Sequence, residues 1–200
     1  MRIGIDFDNT IVCYDELFHR FASENGVVPG SLEASKTAVR DYLRATDREQ
    51  DWIELQGYIY GKQIFQAPSF EGVNQFVSVA EQFGHSICII SHKTNYSNCS
   101  DKYDLHQAAR DWLTDNGFKA FLERGDAYFE TTKGAKLKRI INCKCNVFID
   151  DLPEFLMQPE FPKVVKRILF DPFDKFKDDH CYNRFNTWLA IADRIAGILV

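Results

Sequence analysis

Several features are missing from this chain, and each absence narrows what it does. No apolar run approaches the length needed to cross a bilayer, so a membrane-spanning segment is not expected. The opening residues, Met-Arg-Ile-Gly-Ile-Asp-Phe-Asp-Asn-Thr, lack the basic start, apolar core and cleavage site of a secretory leader. A basic excess is missing too. The 24 Lys and Arg against 29 Asp and Glu give a formal charge of -5, which argues against phosphate-backbone binding as the main activity. Neither nucleic acid nor membrane is an expected partner, and the cytoplasm is the expected compartment. Internal repeats and low-complexity tracts are also absent. What is present is the composition of a globular protein, 45% hydrophobic and 26% charged, with 17 Phe. A length of 200 residues suits one core domain with a small inserted lobe. The sequence does not specify an oligomeric state.

The six cysteines (Cys13, Cys88, Cys99, Cys143, Cys145 and Cys181) read as reduced thiols rather than a disulfide framework in a chain of this size without a leader. Cys143 and Cys145 with His180 and Cys181 sketch a zinc site. Against it, Cys-x-Cys turns both sulfurs to one side of a segment approaching a buried strand, where half-buried thiols fit better.

Ile3, Gly4 and Ile5 form a short buried strand that ends on the polar run Asp6, Asp8, Asn9 and Thr10. Side chains two apart on an extended chain point the same way, so Asp6 and Asp8 leave it as a pair of carboxylates facing one space. An Asp-Asn turn capping a helix explains Asp8 or Asn9 singly. It does not explain Asp6, still inside the apolar run.

Tyr14, Leu17, Phe18 and Phe21 mark an amphipathic helix that stops at Asn25-Gly26. From Ser31 to Tyr60 the pattern is helical but untidy, a small helical insertion ended by Gly61 and by Pro68 to Gly72. Val73, Phe76, Val77 and Ala80 form the next helix, closed by Gly84, and it feeds a strand over Ser86–Ile90 with Ser91 directly after. A polar loop over His92–Lys102 leads to a helix through Leu105, Ala108, Ala109 and Trp112, with Gly117 as its stop. A strand near Ala127–Phe129, a helix through Leu137, Ile140 and Ile141, and a strand over Asn146–Ile149 ending on Asp150-Asp151 follow. The last strand, Arg167–Phe170, ends at Asp171-Pro172, read as a turn. The final helix carries Phe185, Trp188, Leu189, Ala192, Ile195, Ala196 and Leu199 on one stripe. Strands alternating with amphipathic helices specify an α/β fold, a Rossmann-like open parallel sheet.

In such a sheet the carboxyl ends of the strands lie along one edge, and ligands bind outside them. Asp6 with Asp8, Ser91, and Asp150 with Asp151 therefore converge. Four carboxylates brought together raise one another's pKa unless a hard cation joins them, and Mg2+ with oxygen ligands is the natural candidate. A phosphate dianion then becomes an acceptable substrate group, and a carboxylate can attack phosphorus to form an acyl phosphate. Asp6, deepest on its strand, is the candidate nucleophile. Asp8 is the candidate general acid and base. Ser91 offers a hydroxyl to the phosphoryl oxygens, with Asn9, Thr10 and His92 nearby as further phosphate-binding candidates. Lys136 is favoured as the balancing cation, with Lys133 as the alternative.

Asp-Phe-Asp-Asn-Thr after a strand, Ser91 after a second, Lys at a helix start and Ile-Asp-Asp after a later strand resemble the four ordered motifs of the haloacid dehalogenase-like (HAD) superfamily. The resemblance implies Asp6 as nucleophile, and Asp8 as the acid/base residue whose backbone carbonyl also binds magnesium. It also implies Asp151 as the direct metal ligand of the rear pair, with Asp150 second. Cys13–Pro68 falls where that family inserts a small helical cap, giving a core of 1–12 and 69–200 and a cap of 13–68. Because Asp8 is present, dehalogenation is not expected. A Mg-dependent phosphatase acting on a small phosphorylated metabolite is. The alternatives are a phosphomutase or phosphotransferase on the same fold, a signalling receiver or other phosphoacceptor, and an inactive binding module. In a receiver the paired acids precede the phosphorylated Asp, whereas here Asp150-Asp151 come last.

Overall fold

The computed structural model describes residues 1–197. The chain divides into two compact units, one built from Met1–Val12, Ser69–Lys93 and the residues from Lys119 onward, the other from Cys13–Pro68 and Thr94–Phe118.

The first unit is an open parallel sheet. Its strands are β1 (Arg2–Ile5), β2 (Ser86–His92), β3 (Ala127–Glu130), β4 (Val147–Asp150), β5 (Lys166–Phe170) and β6 (Asn183–Phe185), in the order β3-β2-β1-β4-β5-β6. β1 is central, with Ile3 opposite Ile87 on one side and Val147 on the other. Buried on both faces, β1, β2 and β4 read as apolar runs rather than as alternations. Cys88 and Ile90 join Leu137, Ile140, Phe148 and Leu169 in the core on one face. Gly4 belongs to that face, because a Cβ there would stand 2.6 Å from the Phe148 ring. Helices α4 (Val73–Gln82), α6 (Lys119–Glu123), α7 (Lys133–Asn142), α8 (Pro153–Leu156) and α9 (Trp188–Gly197) complete the unit. α7 packs on β2 and β3, and α4 packs on α9. Cys145 lies in the core 3.8 Å from the Cys88 sulfur, and Cys143 packs on the same cluster, as half-buried thiols do.

The final helix begins later than its apolar stripe suggests. Phe185 is in β6, where its carbonyl accepts from Asp171 N at 2.8 Å, and Thr187 Oγ1 accepts from Ala190 N at the start of α9. Leu199 lies outside the described residues. Asp171 is the expected turn, its carboxylate accepting from Lys175 N and Phe176 N, both at 2.9 Å.

The second unit is helical: α1 (Asp15–Glu24), α2 (Lys36–Ala45), α3 (Glu49–Tyr58) and α5 (Leu105–Asp115). The sequence expectation gave this lobe Cys13–Pro68 alone, yet Thr94–Phe118 packs with it. The tie is made by Trp112 Nε1, which donates to Ala67 O at 2.8 Å, and by Ser100, whose N and hydroxyl both donate to Glu54. Gly61 does not end the helix. It sits in a π-helical continuation of α3, Ile59–Gln63, and is glycine because a Cβ there would stand 2.1 Å from Tyr103 Cβ. Exchanging helical Gly for Ala ordinarily stabilises by roughly 1 kcal/mol. At this position the overlap reverses the sign, and Gly61→Ala is expected to destabilise by about 2 kcal/mol in a denaturant titration. Unchanged or increased stability would mean that Tyr103 moves aside without cost.

Candidate active site

Asp6 follows β1 directly, and its N–H donates to Ile149 O at 2.9 Å, carrying the sheet pairing one residue further. Counting by twos, Asp6 shares the face of Gly4, and Asp150 that of Phe148. Lys136, one turn into α7, reaches into this space. Its Nζ donates to Asp6 Oδ1 and to Asp150 Oδ2, each at 2.6 Å, and lies 4.2 Å from the Phe155 ring centroid. The other Asp150 oxygen accepts from Leu152 N at 3.0 Å. All three side chains are buried.

One ammonium between two buried carboxylates leaves a negative charge uncompensated. Burial first, then the neighbouring Asp6, push Asp150 up to about 7 against the pull of Lys136. For Lys136, burial opposes the charge, but Asp150 and Asp6 outweigh it and hold the ammonium above its ordinary range. Of the two candidate lysines, Lys136 therefore occupies the site; Lys133, at the start of α7, is exposed. Carboxylate oxygens of Asp6, Asp150 and Asp151 all lie within 4.8 Å of one another. Thr10 is fully buried, its hydroxyl 3.4 Å from Asp151 Oδ1 and its carbonyl accepting from Trp188 Nε1 at 3.2 Å. α9 thus anchors the loop that carries Asp8, Asn9 and Thr10. Asn9 has φ 57, a left-handed conformation that Asn tolerates better than most residues, and its Oδ1 is buried without a partner.

The carboxylate of Asp8 stands outside that acidic group. Lys93 Nζ holds it at 2.9 Å from Oδ1 and 2.8 Å from Oδ2. Lys93 is 4% exposed, its N–H donating to Glu130 O at 2.8 Å and its Nζ 5.5 Å from the Phe7 ring centroid. Sequence reasoning left Lys93 in the polar loop after β2, either beside the phosphate or solvated, because the apolar run of β2 ends before it. The signal for it was parity, since Lys93 lies two residues past Ser91 and so on the same side of the extended chain. Ser91 is within β2 rather than after it, 1% exposed and opposite Phe129. His92 is exposed, with Nε2 3.3 Å from Thr131 O.

No family model matches the sequence, and no curated protein matches it by sequence. Solved structures do match the fold over almost the whole chain. A predicted phosphatase from Clostridium acetobutylicum superposes with TM-score 0.64 at 14% identity, covering 98% of each chain. The magnesium-bound Bacillus subtilis protein YfnB, assigned as a HAD-hydrolase, gives 0.61 at 12% identity, covering 97% of each. A Thermotoga maritima protein assigned as a beta-phosphoglucomutase gives 0.58 at 9% identity, covering 98% of this chain and 99% of that one.

The chain has the HAD fold. In this HAD-fold chain the acidic group tests well as a cation site on its own chemistry. Its donors are all carboxylate oxygens, the preference of a hard divalent ion, and the lysine-bridged pair carries surplus negative charge. The second acidic group, Asp179, His180 and Cys181, comes from three consecutive residues at the surface, with Asp179 and Cys181 half-buried and His180 exposed.

Proposed function

We propose that the chain is a magnesium-dependent phosphatase that hydrolyses a phosphate monoester of a small metabolite through a phosphoryl group carried on Asp6. The observation that most supports this reading is the Asp6 carboxylate, fixed at 2.6 Å by Lys136 and grouped with Asp150 and Asp151 at the carboxyl edge of a parallel sheet. Magnesium would be held by Asp6, Asp151 and the backbone carbonyl of Asp8, with Asp150 in the same acidic group, and would supply the positive charge that lets a phosphate dianion approach these acids.

The chain's own residues do the rest. An Asp6 oxygen attacks phosphorus while the bond to the ester oxygen breaks, and Asp8 gives a proton to the departing oxygen. Water then attacks the acyl phosphate, Asp8 takes its proton, and the Asp6–phosphorus bond breaks to release inorganic phosphate. The Ser91 hydroxyl and the Lys136 ammonium donate to the phosphoryl oxygens, with Asn9, Thr10 and His92 as further candidates around them. The helical insertion, which leaves the chain at Cys13 directly after this loop, serves as the cap that selects the leaving group.

A phosphate-release screen over metabolite esters tests this. Chelator is expected to abolish release and added magnesium to restore it; full activity in chelator contradicts the reading. A mutase or phosphotransferase would turn over substrate in the same screen while releasing almost no inorganic phosphate.

Lys93 makes a further expectation. By gripping both oxygens of Asp8 it aims the proton donor, so Lys93→Met is expected to lower kcat by about 10- to 100-fold with little change in KM. A Lys93→Met enzyme with unchanged kcat would show that Asp8 is oriented without it.

A further inference from the structure

Within the helical unit, and composed only of its residues, lies a cavity of about 480 Å³. One wall is aromatic. Phe21, Tyr58 and Tyr103 come from three separate stretches of chain and form a continuous run, with ring centroids 5.7 Å apart between Phe21 and Tyr58 and 6.5 Å between Tyr58 and Tyr103. The remaining lining mixes neutral residues, Asn25, Val27, Leu55 and Cys99, with three acids, Asp51, Glu54 and Asp101, set against a single guanidinium, that of Arg48.

This wall is built into the sequence. Gly57 and Gly61, one helical turn apart, leave room that a Cβ would close: at Gly57 it would stand 2.2 Å from the Cys99 sulfur, and at Gly61 2.1 Å from Tyr103 Cβ. The segment carrying Cys99, Asp101 and Tyr103 is thereby drawn onto α3. Its own turn is tied by Ser97, whose hydroxyl donates to Asp101 O at 2.8 Å and accepts from Tyr103 N at 2.9 Å. Glu54 is taken up by Ser100 N and Oγ and by Gln50 Nε2, whereas Asp51 and Asp101 are only partly engaged. Asp51 meets Arg48 through Oδ2, and Asp101 accepts from the Tyr103 hydroxyl through Oδ2, so acceptor sites remain on both. The faces of two of these rings already attract cations, with the Arg20 guanidinium carbon 5.4 Å from the Phe21 centroid and Lys62 Nζ 5.8 Å from that of Tyr58.

We propose that this cavity is a binding site for an aliphatic ammonium ion, a diamine or similar organic cation. Its methylene chain lies against the three rings, and its charged ends face a lining that holds three carboxylates against one guanidinium. An anion is repelled by the acids. A bare metal ion makes no use of the aromatic wall, and an uncharged alcohol makes no use of the acids. The site is separate from the phosphatase reading and stands or falls without it.

The test is isothermal titration of the whole protein with 1,4-diaminobutane, with 1-butanol and magnesium chloride as controls. Saturable binding of the diamine is expected, with none of butanol. Asp51→Asn, on a half-exposed side chain, and Tyr58→Leu, which keeps the apolar bulk, are each expected to weaken binding about 5- to 10-fold. Circular dichroism verifies that both variants fold; should Tyr58→Leu fail to, Asp51→Asn alone decides. Asp6→Asn is expected to leave the affinity unchanged. No saturable binding, equal binding to both cavity variants and the parent, equal binding of butanol, or loss in Asp6→Asn alone would each overturn the proposal, the last by placing the amine among the acids of the sheet edge.

Discussion

Asp6→Asn is expected to lower turnover by about 10⁴-fold or more while leaving the protein folded. The argument rests on what the exchange keeps and what it removes. The amide has the size of the carboxylate, and its oxygen still accepts from Lys136, whose Nζ lies 2.6 Å from Asp6 Oδ1. The replacement also removes one of two buried negative charges that share a single ammonium, so stability is expected to hold or rise. The lone pair that attacks phosphorus is gone, and Asp150 in the same group does not replace it, because its oxygens are occupied by Lys136 and Leu152 N. Phosphate release measured beside a thermal melt checks both halves. An Asp6→Asn protein with near-normal turnover would remove Asp6 from the nucleophile's role.

Lys136→Met has the largest expected effect on stability. Breaking a buried ion pair by deleting one partner costs about 3–5 kcal/mol, because the surviving charge is stranded away from water. Here Asp6 and Asp150 both lose the same Nζ, and both are buried; Asp150, pushed up even with the lysine present, takes up a proton, and Asp6 is the charge left stranded. The loss is to be measured by urea denaturation in chelator, so that a bound cation does not substitute for the ammonium. Adding Asp6→Asn removes the stranded charge and is expected to recover about half of the loss. If Lys136→Met is as stable as the parent, or if the second change makes matters worse, the triad does not carry the electrostatic weight given to it.

The sheet was legible because its central strands, buried on both faces, are apolar runs broken by acids: Ile3–Ile5 before Asp6, and Val147–Ile149 before Asp150. Other features depend on partners distant in sequence. β6 is Asn-Arg-Phe, with no apolar run to announce it, and it exists through its pairing with β5. Gly61 reads as a helix stop until Tyr103 is seen in the space its side chain would fill. The membership of Thr94–Phe118 in the helical unit follows from the same packing, and no composition shift marks it. Lys93 stayed undecided between substrate contact and solvated loop because a lysine after a strand is ordinarily solvated; the Asp8 carboxylate identifies its role.

The central claim is that phosphorus passes through an oxygen of Asp6. Rapid acid quench during turnover of a radiolabelled monoester, followed by peptide mapping, tests it most directly. The account predicts a base-labile label on the peptide that carries Asp6, absent from Asp6→Asn. A label on the Ser91 peptide, or turnover with no labelled protein at any quench time, would contradict it.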